Sequence, residues 1–342
     1  MDSSIQMRRD KGDDSLMPKY HIIVDVYYMY YRYKYLLEGE KFKRLSTVIS
    51  GDFLGLYNRL RAVYGMEESN GNIDVSGFYY PIRAIEAELQ KYVNSEDEVS
   101  ISICFDSKTI RHESEDANGY KANRTNKLTV TDHFNISMME MLFRLIGYHV
   151  YKEDGYEADD LIFSLVKKYH KEFNKTLIYT PDADVLVNLA DDVTIYRYKT
   201  SERKHIAYTK DNFESLMTKE YKCQMPYNVI ILYKSLCGDK SDNISGVKGF
   251  GPKSFDKFIN ILREDGIDFS SLLDYQVVEN LLYDYKDNLF PKNQNGLTEA
   301  LSSLELVKAI YNQEIKFPDI LSKDAIYNNR NVIYRYKLNF NL

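Results

Sequence analysis

The sequence predicts an α/β fold with a central, mostly parallel sheet flanked by helices. Three short apolar runs rich in β-branched residues predict the strands, and they are HIIV at 21–24, VSISICF at 99–105 and TLIYT at 176–180. Helical patterns separate the runs, and buried strands that alternate with helices are typical of parallel sheets. An aspartate follows each run directly or after one proline. The sequence therefore predicts an acidic edge where the strands end.

Apolar residues spaced three or four apart predict three helices between or after these strands. The predicted helices span 77–93, 133–147 and 157–173. Residues 39–75 are polar and contain several glycines, and we expect an insertion that is partly helical and partly loop. Residues 1–19 are expected to form a flexible polar leader.

The composition is that of a globular protein, with 44% apolar and 28% charged residues in 342. Tyrosine is enriched, with 31 copies and no tryptophan, so tyrosine-rich helices are expected without a special role for each ring. The three cysteines have no metal-ligand spacing and favour reduced thiols in an intracellular protein. No apolar run approaches the roughly 20 residues of a membrane span.

Acidic residues gather where the predicted strands end. Asp25 and Asp106 follow the first two strands, and Asp182 and Asp184 follow the third. Ligands of open α/β sheets bind beyond the carboxyl ends of the strands. The segment YEADDL adds Glu157, Asp159 and Asp160. Taken alone, this segment favours a solvated acidic first helical turn. Together with the strand-end aspartates it favours a site for Mg²⁺ or Mn²⁺.

A second motif is GDKSDNISGVKGFGPKSFDKFI at 238–259, which resembles a helix–hairpin–helix. Glycines permit a tight turn, and amides at a helix N-terminus can hold a phosphate without reading a base sequence. The alternative is an ordinary glycine-rich loop before a helix. The candidate residues of the motif are Asp239, Asp242, Gly246, Gly249, Gly251, Lys253 and Lys257.

A third motif, RHESEDANGYKANRTNK at 111–127, places basic residues shortly after Asp106. Basic groups close to a phosphate can stabilise developing negative charge, and an aromatic ring can stack on a base. A solvated charged loop is the alternative. The candidates are Arg111, Tyr120, Lys121 and Arg124.

In this order, the segments DVYYMYYR, CFD, GYKANR, GYEADD, TPDADVLVNL and GDKSDNISGVKGFGPKS resemble the structure-specific 5′-nuclease family. That family contains the flap endonucleases, the 5′-nuclease domain of bacterial DNA polymerase I, and the bacteriophage 5′ exonucleases and ribonuclease H enzymes. The resemblance covers roughly residues 20–265 and indicates a stand-alone, phage-type member. It implies a PIN-like catalytic domain at 20–200, with a helical arch or clamp at 111–147. A helical region at 201–342 would contain the helix–hairpin–helix at 238–262.

The resemblance also implies roles for individual residues. Lys121 and Arg124 match basic residues at the base of the arch and, with Asp182, are expected to be catalytic. Tyr120 matches the family's aromatic residue, and Arg32 its arginine that contacts phosphate. Nine acids match the family's metal-site carboxylates, namely Asp25, Asp106, Glu157, Asp159, Asp160, Asp182, Asp184, Asp239 and Asp242. Without these nine, the net charge of −6 becomes +3, so the acidic composition does not oppose DNA binding.

The implied reaction is phosphodiester hydrolysis with two Mg²⁺ ions, for which Mn²⁺ would substitute, and K⁺ is expected at the helix–hairpin–helix. The implied substrates are 5′ flaps and nicked duplexes, with RNA–DNA hybrids and replication proteins as further candidate partners. We expect a monomer in the cytoplasm, or in the host cytoplasm if the protein is phage-encoded. Two alternatives stay open from the sequence: a PIN-like ribonuclease and a non-catalytic DNA-binding protein. The helix–hairpin–helix argues against the first, and the full set of matched acids against the second.

Overall fold

A six-stranded sheet lies at the centre of this computed structural model, which describes residues 19–41, 43–90, 98–107, 121, 128–199, 202 and 204–321. The strand order is β5-β4-β1-β6-β7-β8, and a separate antiparallel ribbon pairs β2 with β3. The strands are β1 (Lys19–Asp25), β2 (Ser46–Val48), β3 (Asn72–Asp74), β4 (Glu98–Cys104), β5 (His149–Tyr151), β6 (Lys175–Tyr179), β7 (Val193–Lys199) and β8 (Lys204–Tyr208).

The five strands from β5 to β7 are parallel, and β8 is antiparallel to β7. The mostly parallel sheet and its three predicted strands are therefore confirmed. Ile22, Ile23 and Val24 of β1 are buried because helices cover both faces of the sheet. The sheet continues past residue 200, since β8 belongs to it.

Helices cover both faces of this sheet. Those within the described residues are α1 (Val26–Glu38), α2 (Gly51–Val63), α3 (Ser76–Gln90), α4 (Val130–Ile146), α5 (Ala158–Tyr169), α6 (Phe213–Tyr221), α7 (Ile230–Cys237), α8 (Pro252–Glu264), α9 (Tyr275–Asp284), α10 (Lys286–Leu289) and α11 (Gly296–Val307). The three predicted helices are confirmed as α3, α4 and α5. In the described part of the chain, no helix is both long and apolar enough to cross a membrane.

Two hydrophobic cores lie on the two faces of the sheet. One core contains apolar residues of α1 to α4, and the other contains those of α5 to α11. Residues 39–75, expected to be partly helical and partly loop, form α2 together with the β2–β3 ribbon. Phe53 and Tyr57 of α2 are buried, and Tyr57 packs edge-on against Phe134 of α4. The insertion is therefore part of the first core.

Residues 308–321, which we call the strap, follow α11 without forming a regular helix. The strap runs along α5 and reaches the far side of the sheet, where Leu321 pairs with Val99 of β4 in an antiparallel bridge. Ile315 of the strap is completely buried. The strap thus connects the last helix of the described chain to α5, which contains Asp159 and Asp160 and has Glu157 as its N-cap.

Candidate metal centre

The carboxyl edge of the sheet gathers most of the predicted acids. Carboxylate oxygens of three overlapping trios each lie within 4.8 Å of one another: Glu157 with Asp159 and Asp160, Asp159 with Asp182 and Asp184, and Asp184 with Asp239 and Asp242. Asp159 and Asp184 are shared between neighbouring trios. The acids therefore form one continuous row, from the start of α5 to the loop after α7.

Asp25 stands at the end of β1 and caps α1 with its side chain. Its Oδ1 accepts the Tyr28 amide at 3.5 Å, and its Oδ2 accepts the Thr180 hydroxyl at 3.2 Å. Burial raises the pKa of the Asp25 carboxyl to about 7, and the charges of Asp106 and Asp182 add to the rise. Such a carboxylate is stabilised by a bound cation, and its oxygen donors suit a hard divalent metal.

The first turn of α5 is fixed by acids that cap its free amides. Asp106 Oδ1 accepts the Ala158 amide at 2.8 Å, and Glu157 and Asp160 form a reciprocal capping box. This capping holds Asp106, from the end of β4, against α5. The helix N-terminus also favours negative charge, so the crowded acids are tolerated here.

Sequence reasoning missed Lys234, which lies on α7 between two predicted metal ligands. Its Nζ forms ion pairs with Asp184 and with Asp239, the latter at 2.5 Å, and the residue is only 3% exposed. Burial lowers the pKa of Lys234, but the charges of Asp184, Asp182 and Asp239 outweigh burial and hold it well above its usual value. A signal was available, because Lys234 is the one charged residue in the apolar helix IILYKSLC.

The pKa values of the two acids paired with Lys234 shift in opposite directions. Burial raises the pKa of Asp184 to about 7 despite the lysine, and Asp182 and Asp242 add repulsion. The pKa of Asp239 stays below its usual value although burial opposes this, because Lys234 and Ser241 donate to its carboxylate. Lys234 therefore compensates Asp239 more fully than Asp184. Residual negative charge on the Asp184 side is what a bound cation would neutralise.

Lys121 is the described member of the predicted basic motif, since Arg111, Tyr120 and Arg124 lie outside the described residues. Its Nζ lies 2.6 Å from Glu157 Oε1, and its amide donates to the Asp242 carbonyl at 3.0 Å. Lys121 therefore contacts the row of acids at Glu157. Arg32, predicted to contact phosphate, lies 3.9 Å from the centre of the Tyr198 ring, in a cation–π contact.

The predicted helix–hairpin–helix corresponds to α7, a glycine-containing turn and α8. Gly246 and Gly249 both have positive φ, at 62° and 81°, and Gly251 is the N-cap of α8. At Gly246 an added Cβ would lie 2.3 Å from the Gly238 nitrogen, so the two ends of the turn pack closely. Lys253 and Lys257 are exposed on α8. The ammonium groups of Lys253 and Lys257 therefore lie on the surface, in the N-terminal half of α8.

Comparison with known proteins identifies the family. Residues 21–218 match the family described as 5′-3′ exonuclease, N-terminal resolvase-like domain. The chain is 29% identical to a 5′-3′ exonuclease of Mycoplasma genitalium over 206 residues, which are 60% of this chain and 66% of the relative. It is 32% identical to a 5′-3′ exonuclease of Bacillus subtilis over 175 residues, which are 51% of this chain and 52% of the relative. The chain belongs to the 5′-3′ exonuclease family, and its matches span between half and two thirds of these relatives.

Solved structures show the same fold. The T5 D15 protein co-crystallised with metal ions has a TM-score of 0.53 at 17% identity, covering 93% of this chain and 99% of that one. The T5 5′-exonuclease with bound zinc has a TM-score of 0.51 at 18% identity, with the same coverage. These structures confirm the predicted PIN-like α/β fold class, and the family match over residues 21–218 confirms the predicted resemblance to 5′ nucleases.

Proposed function

We propose that this protein is a divalent-metal-dependent, structure-specific 5′ nuclease that hydrolyses phosphodiester bonds in branched DNA. The observation that carries the proposal is the continuous row of carboxylates at the carboxyl edge of the sheet, with Lys121 at one end of it. Family membership supports hydrolysis of nucleic acid from a 5′ end, and the two T5 structures with metal ions support a metal requirement. We propose Mg²⁺ as the ion, with Mn²⁺ as its substitute.

The row of acids is long enough to serve two ions, and we assign its members to two sets as the family resemblance implies. Asp25, Asp106, Glu157 and Asp159 would hold one ion, and Asp182, Asp184, Asp239 and Asp242 would help to hold the other. Ions bound there would lower the pKa of a water molecule and neutralise charge on the leaving oxygen. Lys121 would attract the scissile phosphate, because its ammonium group already lies against the acid row.

Contacts to the duplex would come from the turn before α8. Its amides and the exposed Lys253 and Lys257 would bind backbone phosphates, so the protein would select DNA by shape rather than by base sequence. We further propose that K⁺ binds in this turn. Arg32 would add a phosphate contact near α1, where Tyr198 supports its guanidinium group.

The test is cleavage of a 5′-labelled flap duplex in Mg²⁺, in Mn²⁺ and in EDTA. Asp182→Asn should abolish cleavage near the junction, whereas Asp191→Asn should cleave like the wild type, because Asp191 is an exposed acid at the opposite edge of the sheet, paired with Lys210. A nicked duplex and an RNA-primed duplex, assayed in parallel, would define the preferred substrate. Binding of the flap without cleavage in either metal would contradict the proposed function.

A further inference from the structure

Both carboxylate oxygens of Asp160 accept a backbone amide, and one of the two amides comes from a distant part of the chain. Oδ2 accepts the Glu157 amide at 3.0 Å, within the capping box of α5. Oδ1 accepts the amide of Ile310 at 2.7 Å, across 150 residues of chain. The side chain is completely buried. Two amide donors in these positions fix the carboxylate in one orientation.

Ile310 belongs to the strap, and the strap follows α5 from this contact to the end of the helix at Tyr169. The Asn312 amide donates to Ser164 Oγ at 2.9 Å, and Lys168 Nζ donates to the carbonyls of Gln313 and Ile315 at 2.8 Å. The Tyr169 hydroxyl also donates to the Ile315 carbonyl, at 2.7 Å. Strap and helix therefore run side by side in the same direction, joined by hydrogen bonds along their length.

The strap is also anchored at its far end. The Tyr151 hydroxyl donates to the Lys316 carbonyl at 2.9 Å, and Ser100 Oγ donates to the Asp319 carbonyl at 2.9 Å. Phe317 stacks on Phe173, with ring centres 5.7 Å apart. The strap is thus held by the sheet and by both ends of α5, which makes it a fixed support for the helix.

We propose that Asp160 is a positioning residue that couples the strap to the metal centre, rather than a ligand of the metal. The strap amide at Ile310 holds Asp160, and Asp160 in turn holds the Glu157 amide and the first turn of α5. Glu157 and Asp159, which carry the ligand oxygens, take their positions from that turn. The proposal rests on the proposed metal-dependent function, and it extends the site to a segment outside the family match.

One variant loosens the strap without changing any acid. Lys168→Met/Tyr169→Phe removes three hydrogen bonds to strap carbonyls, eight or more residues along α5 from Asp160, which is about 12 Å of helix. Lys171→Met is the matched control, because Lys171 is exposed just after α5. We expect the dissociation constant for Mn²⁺, measured by electron paramagnetic resonance, to rise about tenfold in the double variant. The control should bind Mn²⁺ like the wild type.

Asp160→Asn separates the two roles of this side chain. If Asp160 is a positioning residue, Asp160→Asn should show faster hydrogen exchange of the strap amides around Ile310 together with weaker Mn²⁺ binding. Weaker Mn²⁺ binding with unchanged exchange would instead identify Asp160 as a ligand and overturn the proposal. The proposal would also be overturned if the strap amides of Lys168→Met/Tyr169→Phe exchanged faster while the variant bound Mn²⁺ as tightly as the control. Both readouts use the full chain without DNA, so they give a result even if flap cleavage is never observed.

Discussion

Lys121 Nζ lies 2.6 Å from Glu157 Oε1, so a lysine from the basic motif directly contacts the N-cap of α5. Both side chains are mostly buried, at 14% and 9% exposure, so solvent screens their charges less than those of a surface ion pair. The relationship places a positive charge where a phosphate would meet the acids.

Replacing Lys121 should therefore impair catalysis. For Lys121→Gln we expect flap cleavage to fall on the order of 100-fold, because a charge that stabilises the transition state is lost. The measurement is single-turnover cleavage at saturating Mg²⁺, with the exposed Lys171→Gln as control. Cleavage within twofold of the control would remove Lys121 from the proposed machinery.

Removing Lys234 should destabilise the protein most strongly in the absence of metal. Lys234→Met leaves Asp184 and Asp239 without their buried cation, at a cost of about 3–5 kcal/mol in the free energy of unfolding. Urea unfolding in EDTA measures this loss. In Mn²⁺ the loss should shrink, because a bound ion neutralises the same carboxylates. Lys240→Met, at an exposed lysine nearby, should change little in either condition. Equal losses in EDTA and Mn²⁺ would mean that lysine and metal do not act on the same charges.

His21 should make the stability depend on pH. The ring is fully buried, with Nε2 2.7 Å from Ser102 Oγ and its face against Phe173. Burial, with a contribution from His149, lowers the pKa of the imidazole to about 3. Below about pH 6.5 the unfolded chain takes up a proton that the folded state does not. The free energy of unfolding should therefore fall by about 1.4 kcal/mol per pH unit as the pH decreases from 6.5 towards 3.

The contribution of His21 is measured as a difference between two proteins. The free energy of unfolding is measured with urea at pH 7.5, 6 and 5 for the wild type and for His21→Leu/Ser102→Ala. The difference between the two proteins removes the contributions of the other titrating groups. These include Asp25 and Asp184, whose raised pKa values act in the opposite direction. The wild type should lose stability relative to the double variant below pH 6.5. A constant difference between the two proteins across this range would show that His21 takes up its proton without unfolding.

Replacing two glycines of the turn before α8, Gly246 and Gly249, by alanine should lower the stability of the protein by different amounts. Both have positive φ, but a Cβ at Gly246 would overlap the Gly238 backbone, whereas a Cβ at Gly249 would enter open space. We expect Gly249→Ala to cost about 1–2 kcal/mol, from backbone strain alone. Gly246→Ala should cost at least about 3 kcal/mol, because backbone must also move. Thermal unfolding of the two variants tests the ranking, and equal losses would contradict the packing described for this turn.

The sequence predicted those parts of the fold that local patterns encode. Buried runs such as HIIV indicate strands, and acids directly after such runs must meet at one edge of a parallel sheet. The β2–β3 ribbon was not predicted, because its strands have three residues each and Ile73 is its only buried apolar side chain. So short a segment carries too few alternations to be distinguished from a loop.

Contacts between distant segments were equally hidden in the sequence. Lys234 follows no spacing rule relative to Asp184, since the pair forms only when α7 packs beside the sheet. The strap has neither a helical nor a strand period, and the side chains that donate to its carbonyls, such as Lys168 and Tyr169, lie far away in the sequence. Nothing in the segment YEADDL distinguishes Asp160 from the neighbouring acids, because the amide that binds it, at Ile310, lies 150 residues away.

Because the strap lies late in the chain, its contacts with α5 and the sheet can form only after most of the protein has been synthesised. Ile310, whose amide binds Asp160, is synthesised 150 residues after Asp160. Asp319, whose carbonyl binds Ser100, is synthesised 219 residues after Ser100. A nascent chain that has reached only α11 therefore contains every acid of the centre but lacks the support that positions them. If the proposed function holds, such a chain would bind its metal ions more weakly than the finished protein, so full nuclease activity would arise only late in translation.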